Sequence, residues 1–145
     1  MVTAEPKVWA FFYGSYMNHQ VLREADVVLE QWDVARLPSF EVVIRPLANL
    51  VRSDRGSVYG IVGTVTHGEL GRLYARAKDA RGQAYLPEAV LTESRDGRFL
   101  PALCYVAHDM PPAPAELGYV NRIVAPAKAF GFPAWYIEHL ERFRP

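Results

Sequence analysis

The chain has a single cysteine, no excess of either charge and no long apolar run. One thiol cannot close an internal disulfide, which suits a reducing compartment. Cys104 lies in the apolar stretch A-L-C-Y-V, so its expected role is a core thiol rather than a nucleophile. Sixteen Lys and Arg balance sixteen Asp and Glu, which argues against steering toward nucleic acid or an acidic membrane. No segment approaches the roughly 18 apolar residues of a membrane span, and the opening M-V-T-A-E-P-K is too short and too charged for a signal peptide. These absences predict a soluble cytoplasmic protein with no nucleic-acid or membrane partner.

Familiar chemical signatures are missing too. His19, His67, His108 and His139 are scattered, with no second ligand at metal spacing, so no metal site is expected. The segment G-S-Y-M has neither a Gly-Lys-Ser/Thr ending nor the G-x-G-x-x-G spacing, and no cofactor is expected. Ser15 does not sit in a G-x-S-x-G elbow, so a hydrolase triad has no local support. Arg45, Arg52 and Arg55 read as a solvated hairpin edge, with Arg45 alone placed to face a pocket.

What remains is 145 residues, half of them hydrophobic and 22% charged, the composition of one globular domain spanning residues 1–145 with a real core. Lys7 to Tyr13, rich in aromatic and β-branched residues, predicts a strand buried on both faces. Gly14-Ser15 breaks it, and a short helix over Asn18 to Ala25 follows, capped by Asn18 or Ser15. A strand is expected over Phe40 to Leu50, with Pro46 at an edge or bulge, then a turn at Ser53-Asp54-Arg55-Gly56. Val58 to Val65 reads as the next strand, whose glycines leave room for close packing.

Thr66-His67-Gly68-Glu69 has capping-box spacing, and Leu70, Leu73, Tyr74 and Ala77 mark one helical face, ending near Lys78. Tyr85 to Glu93 and Phe99 to Ala107 form a hairpin across Asp96-Gly97. Pro111 to Pro114 is a stiff connector before a helix on Val120, Ile123, Val124, Ala127 and Phe130, closed by Gly131. Pro133 opens the last helix, through Phe143. Hairpins with few crossovers argue for an α+β fold, a small mixed β-barrel-like sheet with surrounding helices.

The stretch F-F-Y-G-S-Y-M-N is the one with chemical promise. A buried strand that stops at Gly-Ser leaves successive backbone N–H groups facing a common concavity, which suits a carboxylate. The plainer alternative is a turn that caps the short helix.

F-Y-G-S-Y-M resembles the Y-G-S loop of the γ-glutamylcyclotransferase-like family, which includes the AIG2-like proteins. V-Y-G-I-V-G-T-V-T-H-G-E-L-G-R-L-Y is similar to that family's V-x-G strand and following helix. The tail from P-A-P-A-E-L-G-Y to A-F-G-F-P-A-W-Y-I-E-H-L is similar to its P-x-Y-x-x-x-I…G-L-P-x-x-Y segment. The resemblance covers nearly all of residues 8–142 in order. It implies a pocket for a small γ-glutamyl or other carboxylate-bearing ligand on a small barrel. There the ligand's α-amine attacks its own γ-carbonyl, releasing 5-oxoproline and a free amine. It places Tyr13, Gly14, Ser15, Tyr16 and Met17 in the pocket loop, with amides of Gly14, Ser15 and Tyr16 as donors. Tyr85 and Tyr119, and also Tyr105, would be walls; core packing is the alternative for Tyr85 and Tyr119.

One departure stands out. The family's general base is a glutamate after the helix that follows the V-x-G strand, and the matching position here is Ala77, or Lys78 when counted back from Tyr85. Asp79 and Glu88 are the nearest acids that could replace it, while Glu69 is better explained by its capping box. Three functions follow as expectations: an enzyme with a displaced base, a binding protein that lost the chemistry, or an interaction module using Trp135 and Tyr136. The oligomeric state is left open.

Overall fold

The computed structural model describes residues 5–145; residues 1–4, most of the opening stretch weighed as a signal peptide, lie outside the described residues. Its elements are β1 (Lys7–Phe12), a 3-10 turn (Ser15–Met17), α1 (His19–Glu24), β2 (Trp32–Ile44) and β3 (Ala48–Thr66). Then come α2 (His67–Arg81), β4 (Leu86–Ser94), β5 (Phe99–Val106), α3 (Leu117–Ala129) and α4 (Ala134–Glu141). The strands close into a barrel in the order β1-β3-β2-β4-β5. All neighbours are antiparallel except β1 and β5, which pair in parallel through Ala10–Leu103 and Phe11–Cys104. The fold is α+β with a five-stranded mixed sheet and helices around it, as the hairpin pattern implied.

β1 carries the apolar load its composition demanded: Ala10, Phe11 and Phe12 are all buried. Its partner β3 passes so close that residue 60 has no room for a side chain. A Cβ on Gly60 would lie 2.2 Å from the carbonyl oxygen of Phe12, and one on Gly63 would lie 2.5 Å from Leu29. The glycines of Y-G-I-V-G therefore do leave space for close packing.

The middle of the chain differs from its sequence reading. A strand begins at Trp32, eight residues before the expected start, and the chain reverses at Arg45-Pro46-Leu47, where Arg45 N donates to Leu47 O at 3.2 Å. Ser53–Gly56 is not a turn but lies inside β3. Pairing runs from Pro38–Ser57 directly to Phe40–Arg52, so four residues of β3 stand opposite Ser39, whose φ is +70°. The turn-forming composition of S-D-R-G here serves a bulge, which needs the same freedom from regular extended geometry.

α2 starts on the expected capping box: Thr66 N donates to Glu69 Oε1 at 2.9 Å, and Glu69 N to Thr66 Oγ1 at 3.0 Å. Leu70 and Leu73 bury its first half on the barrel. The helix continues past Lys78 to Arg81, where Gly82 takes the left-handed conformation (φ +71°) that ends it. α3 buries Val120, Ile123, Val124 and Ala127, the expected face. Of the tail aromatics, Tyr136 is core, with its hydroxyl donating to Tyr59 O at 3.3 Å, while Trp135 is exposed.

Candidate functional site

The parallel pairing of β1 with β5 sets where the site lies. Both strands end at the same mouth of the barrel, and β3 and β4, antiparallel to them, begin there. Four chain segments thus meet at one end: the exit of β1, the start of β3, the residue before β4 and the last residues of β5. They floor a cavity of about 540 Å³, walled by the second half of α2 and the start of α3.

The loop after β1 is held from both sides. Tyr13 is buried and its hydroxyl donates to Tyr105 O at 2.7 Å; Tyr16 donates to Leu73 O. The first hydrogen bond of the 3-10 turn runs from Met17 N to Gly14 O at 3.1 Å. The amides of Gly14, Ser15 and Tyr16 precede it, as orphan donors at a helix start do. Ala48 closes the opposite side between two phenols. Its N–H donates to Tyr119 Oη at 2.9 Å, and its carbonyl accepts from Tyr85 Oη at 2.7 Å. A Cβ on Gly14 would lie 3.2 Å from the Ala48 Cβ and 4.0 Å from Tyr119 Oη, so loop, β3 and α3 converge within contact distance.

Removing the Tyr119 hydroxyl tests that clamp. Tyr119→Phe leaves the buried Ala48 N–H without its acceptor. The expected cost is about 1–3 kcal/mol. It should be seen as a melting temperature lowered by several degrees in a denaturation scan.

The aromatic content is high. Tyr74 stacks on Tyr105 with centroids 3.8 Å apart and planes 6° from parallel, and it also meets Tyr16 and Tyr85. Burial pushes the phenols of Tyr13, Tyr74, Tyr85 and Tyr119 above their ordinary value of 10.0, with neighbouring tyrosines adding to the rise at Tyr13, Tyr74 and Tyr85. Above that value the unfolded chain releases phenolic protons that the folded chain retains. Stability is therefore unaffected by these groups below about pH 10 and falls as pH rises beyond it. In an alkaline titration, tyrosinate absorbance from these residues should appear together with loss of near-ultraviolet circular dichroism, not before it.

The cavity also carries charge. Arg76, Arg81 and Arg122 line the cavity, against one carboxylate, Glu24 at the end of α1. Arg81 lies over the Tyr119 ring at 5.3 Å, and Arg76 Nη1 donates to Glu24 O at 3.1 Å. A sequence signal existed: the helical face through Tyr74 and Ala77 reaches Arg81 one turn further on, and Arg122 follows Tyr119 by three residues.

The structure gathers Tyr13, Gly14, Ser15, Tyr16, Tyr85, Tyr105, Tyr119 and Ala77 around this cavity. Met17 does not line it; its side chain is fully buried beneath the turn. The two acids named as substitutes also fall outside. Asp79 projects from the exposed side of α2, two residues from Ala77 and so well round the helix. Glu88 pairs with Arg52 at 3.6 Å along β4. Neither side chain lines the cavity, which removes the geometric support for either as a general base. Cys104 is fully buried, its thiol held protonated first by burial and then by Glu88, as a core thiol should be.

Similarities to known proteins agree with this architecture. A solved structure titled gamma-glutamyl cyclotransferase superposes with a TM-score of 0.79 at 21% identity, covering 94% of this chain and 87% of its own. An uncharacterised protein from Homo sapiens gives 0.77 at 21%, covering 94% and 88%. A gamma glutamyl cyclotransferase specific to glutathione, from yeast, gives 0.66 at 9%, covering 94% and 95%. At such identities these likenesses concern the fold alone. No protein with a curated description matches the chain. The family model for gamma-glutamyl cyclotransferase, AIG2-like, matches residues 10–121, from the middle of β1 through the cavity to α3. With more than half of its length matched and every cavity-lining residue but Arg122 inside the matched span, the chain belongs to the gamma-glutamyl cyclotransferase, AIG2-like family.

Proposed function

We propose that the chain binds a small γ-glutamyl or other carboxylate-bearing compound in the barrel-end cavity, without efficient turnover. The loop amides of Gly14, Ser15 and Tyr16 take a carboxylate, and Tyr85, Tyr105 and Tyr119 enclose the carbon chain. The observation that carries this reading is the convergence on a single cavity of Gly14, Ser15 and Tyr16, whose amides have no partner among the described residues, with an aromatic wall and Ala77.

Cyclisation needs the α-ammonium to lose a proton before its nitrogen attacks the γ-carbonyl carbon. The N–C bond of 5-oxoproline then forms, and the amide C–N bond breaks as the leaving amine takes a proton. Positioning the two ends supplies part of the rate, and a well-placed base typically adds ~10²–10⁴-fold. A methyl at position 77 supplies none of that second factor. Glu24 favours a second reading, slow cyclisation with a relocated base, because it is the one carboxylate among the cavity-lining residues.

Incubation with γ-glutamyl amines and dipeptides separates the two. Thermal stabilisation by a γ-glutamyl compound with no 5-oxoproline is the expected outcome. Product that disappears in Glu24→Gln would establish the second reading. Neither stabilisation nor product would overturn both.

A further inference from the structure

Resting on the reading that the cavity takes a γ-glutamyl compound, we infer that the amine-derived half of that compound carries a doubly charged anionic group. Arg76, Arg81 and Arg122 form its subsite. The class is a γ-glutamyl conjugate of an acidic amine, either a dicarboxylate or a phosphate ester.

The charge imbalance comes first. Three guanidiniums line the cavity against the single carboxylate of Glu24. A γ-glutamyl group is itself a zwitterion, ammonium and carboxylate together, so seating it at the loop leaves the imbalance untouched. Negative charge on the rest of the ligand would meet this excess.

The partners come second. Lys7, Arg36, Arg52, Arg98 and Arg144 each sit within ion-pair distance of a carboxylate. None of the three cavity arginines does so among the described residues; Arg23, Arg45, Arg55, Arg72, Arg95 and Arg142 share that trait, and what sets the three apart is their place at one cavity. Arg76 is steadied by a backbone carbonyl and Arg81 by the Tyr119 ring, contacts that orient a guanidinium and leave its charge uncompensated. Guanidinium forks match the oxygen pairs of carboxylates and phosphates bidentately.

Structural roles account for two of the three arginines and not for Arg122. Arg81, in the last turn of α2, is stabilised by the helix dipole. Arg76 donates to the carbonyl of Glu24 and so caps the C-terminal end of α1, while Arg122 lies inside α3, where no helix-end gain applies. All three arginines are exposed, so water screens their mutual repulsion, and a dianion that reaches more than one of them gains more than it would at an isolated arginine. The subsite also adjoins the loop, because Tyr119, which carries Arg81, reaches to within 4.0 Å of a Cβ built on Gly14.

The test is calorimetric titration of the full chain with γ-glutamyl conjugates of ethylamine, alanine, aspartate and phosphoethanolamine. Affinity should rise in the order ethylamine, alanine, then the two dianionic conjugates. About tenfold per added charge is expected at low salt, the worth of one charge-assisted hydrogen bond. The steps should shrink as salt is raised. The aspartate and phosphoethanolamine arms decide between planar and tetrahedral anions. Arg122→Gln should flatten the ranking, costing the dianionic conjugates about tenfold more than the ethylamine conjugate, with Arg122→Lys intermediate. Equal affinity for all four, or a preference for the ethylamine conjugate, would overturn this inference and leave the proposed function standing. Binding of none would overturn both. The wild-type series carries the test even where a variant fails to fold.

Discussion

Ala77→Glu should raise 5-oxoproline release from a bound γ-glutamyl compound by about 10²–10⁴-fold over the wild-type chain, the usual worth of a positioned base. The position is suited to the change. Ala77 lines the cavity on the helical face that also carries Tyr74 and Arg81, so a longer side chain there enters the site. Glutamate is a good helix former, and position 77 is half-buried rather than core, so the fold should tolerate it at a cost of well under about 1 kcal/mol. Arg76 and Arg81 temper the gain. Nearby guanidiniums favour the ionised carboxylate and make it a weaker base, which places the expected gain toward the lower end. Product quantified by chromatography, alongside a binding measurement on the same variant, gives the answer. Unchanged release with binding intact would show that position 77 does not face the reacting amine.

Gly60→Ala is expected to cost about 3 kcal/mol or more, the upper reach of overpacking effects. The added methyl would lie 2.2 Å from the Phe12 carbonyl oxygen and 2.9 Å from the Phe11 ring. A backbone carbonyl cannot swing aside as a side chain can, so β1 must shift where it leaves the barrel. That shift passes directly into Tyr13 and Gly14, and ligand affinity should fall with stability. Gly71→Ala is the matched control. It lies in α2 with nothing within 4 Å of the new methyl, and should gain up to about 1 kcal/mol. Chemical denaturation of the three proteins separates a steric effect at residue 60 from any general response to losing a glycine.

The features legible in the sequence were those written locally. The aromatic run into Gly14-Ser15 announced a strand that ends on a loop, one whose first amides have no partner among the described residues. The Thr66/Glu69 box fixed the start of α2 to the residue, and Asp96-Gly97 marked the β4–β5 hairpin. The two glycines of β3 correctly signalled close packing, without saying against what.

Other features depended on partners that are distant in the chain. The first half of β2 was missed because Trp32, Asp33, Arg36 and Pro38 obscure its strand pattern, while its pairing with β3 supplies the order. S-D-R-G carries turn composition, yet Ser39 on the neighbouring strand turns it into a bulge. Asp79 and Glu88 are near the missing glutamate only in sequence. Helical twist carries the first away from the cavity, and pairing with Arg52 holds the second on β4. Arg76 and Arg122 had no local reason to be grouped. They meet because four strand ends and two helices close around one mouth of the barrel, a relation that no window of sequence contains.

The central claim is that the loop after β1 holds the carboxylate of a γ-glutamyl compound. Amide chemical shifts of the isotope-labelled chain, followed while such a compound is added, test it most directly. The expected result is that Gly14, Ser15 and Tyr16 move first and furthest, with Ala48 and Tyr119 following through the clamp that joins them. Saturable binding that leaves those three amides unmoved would contradict it.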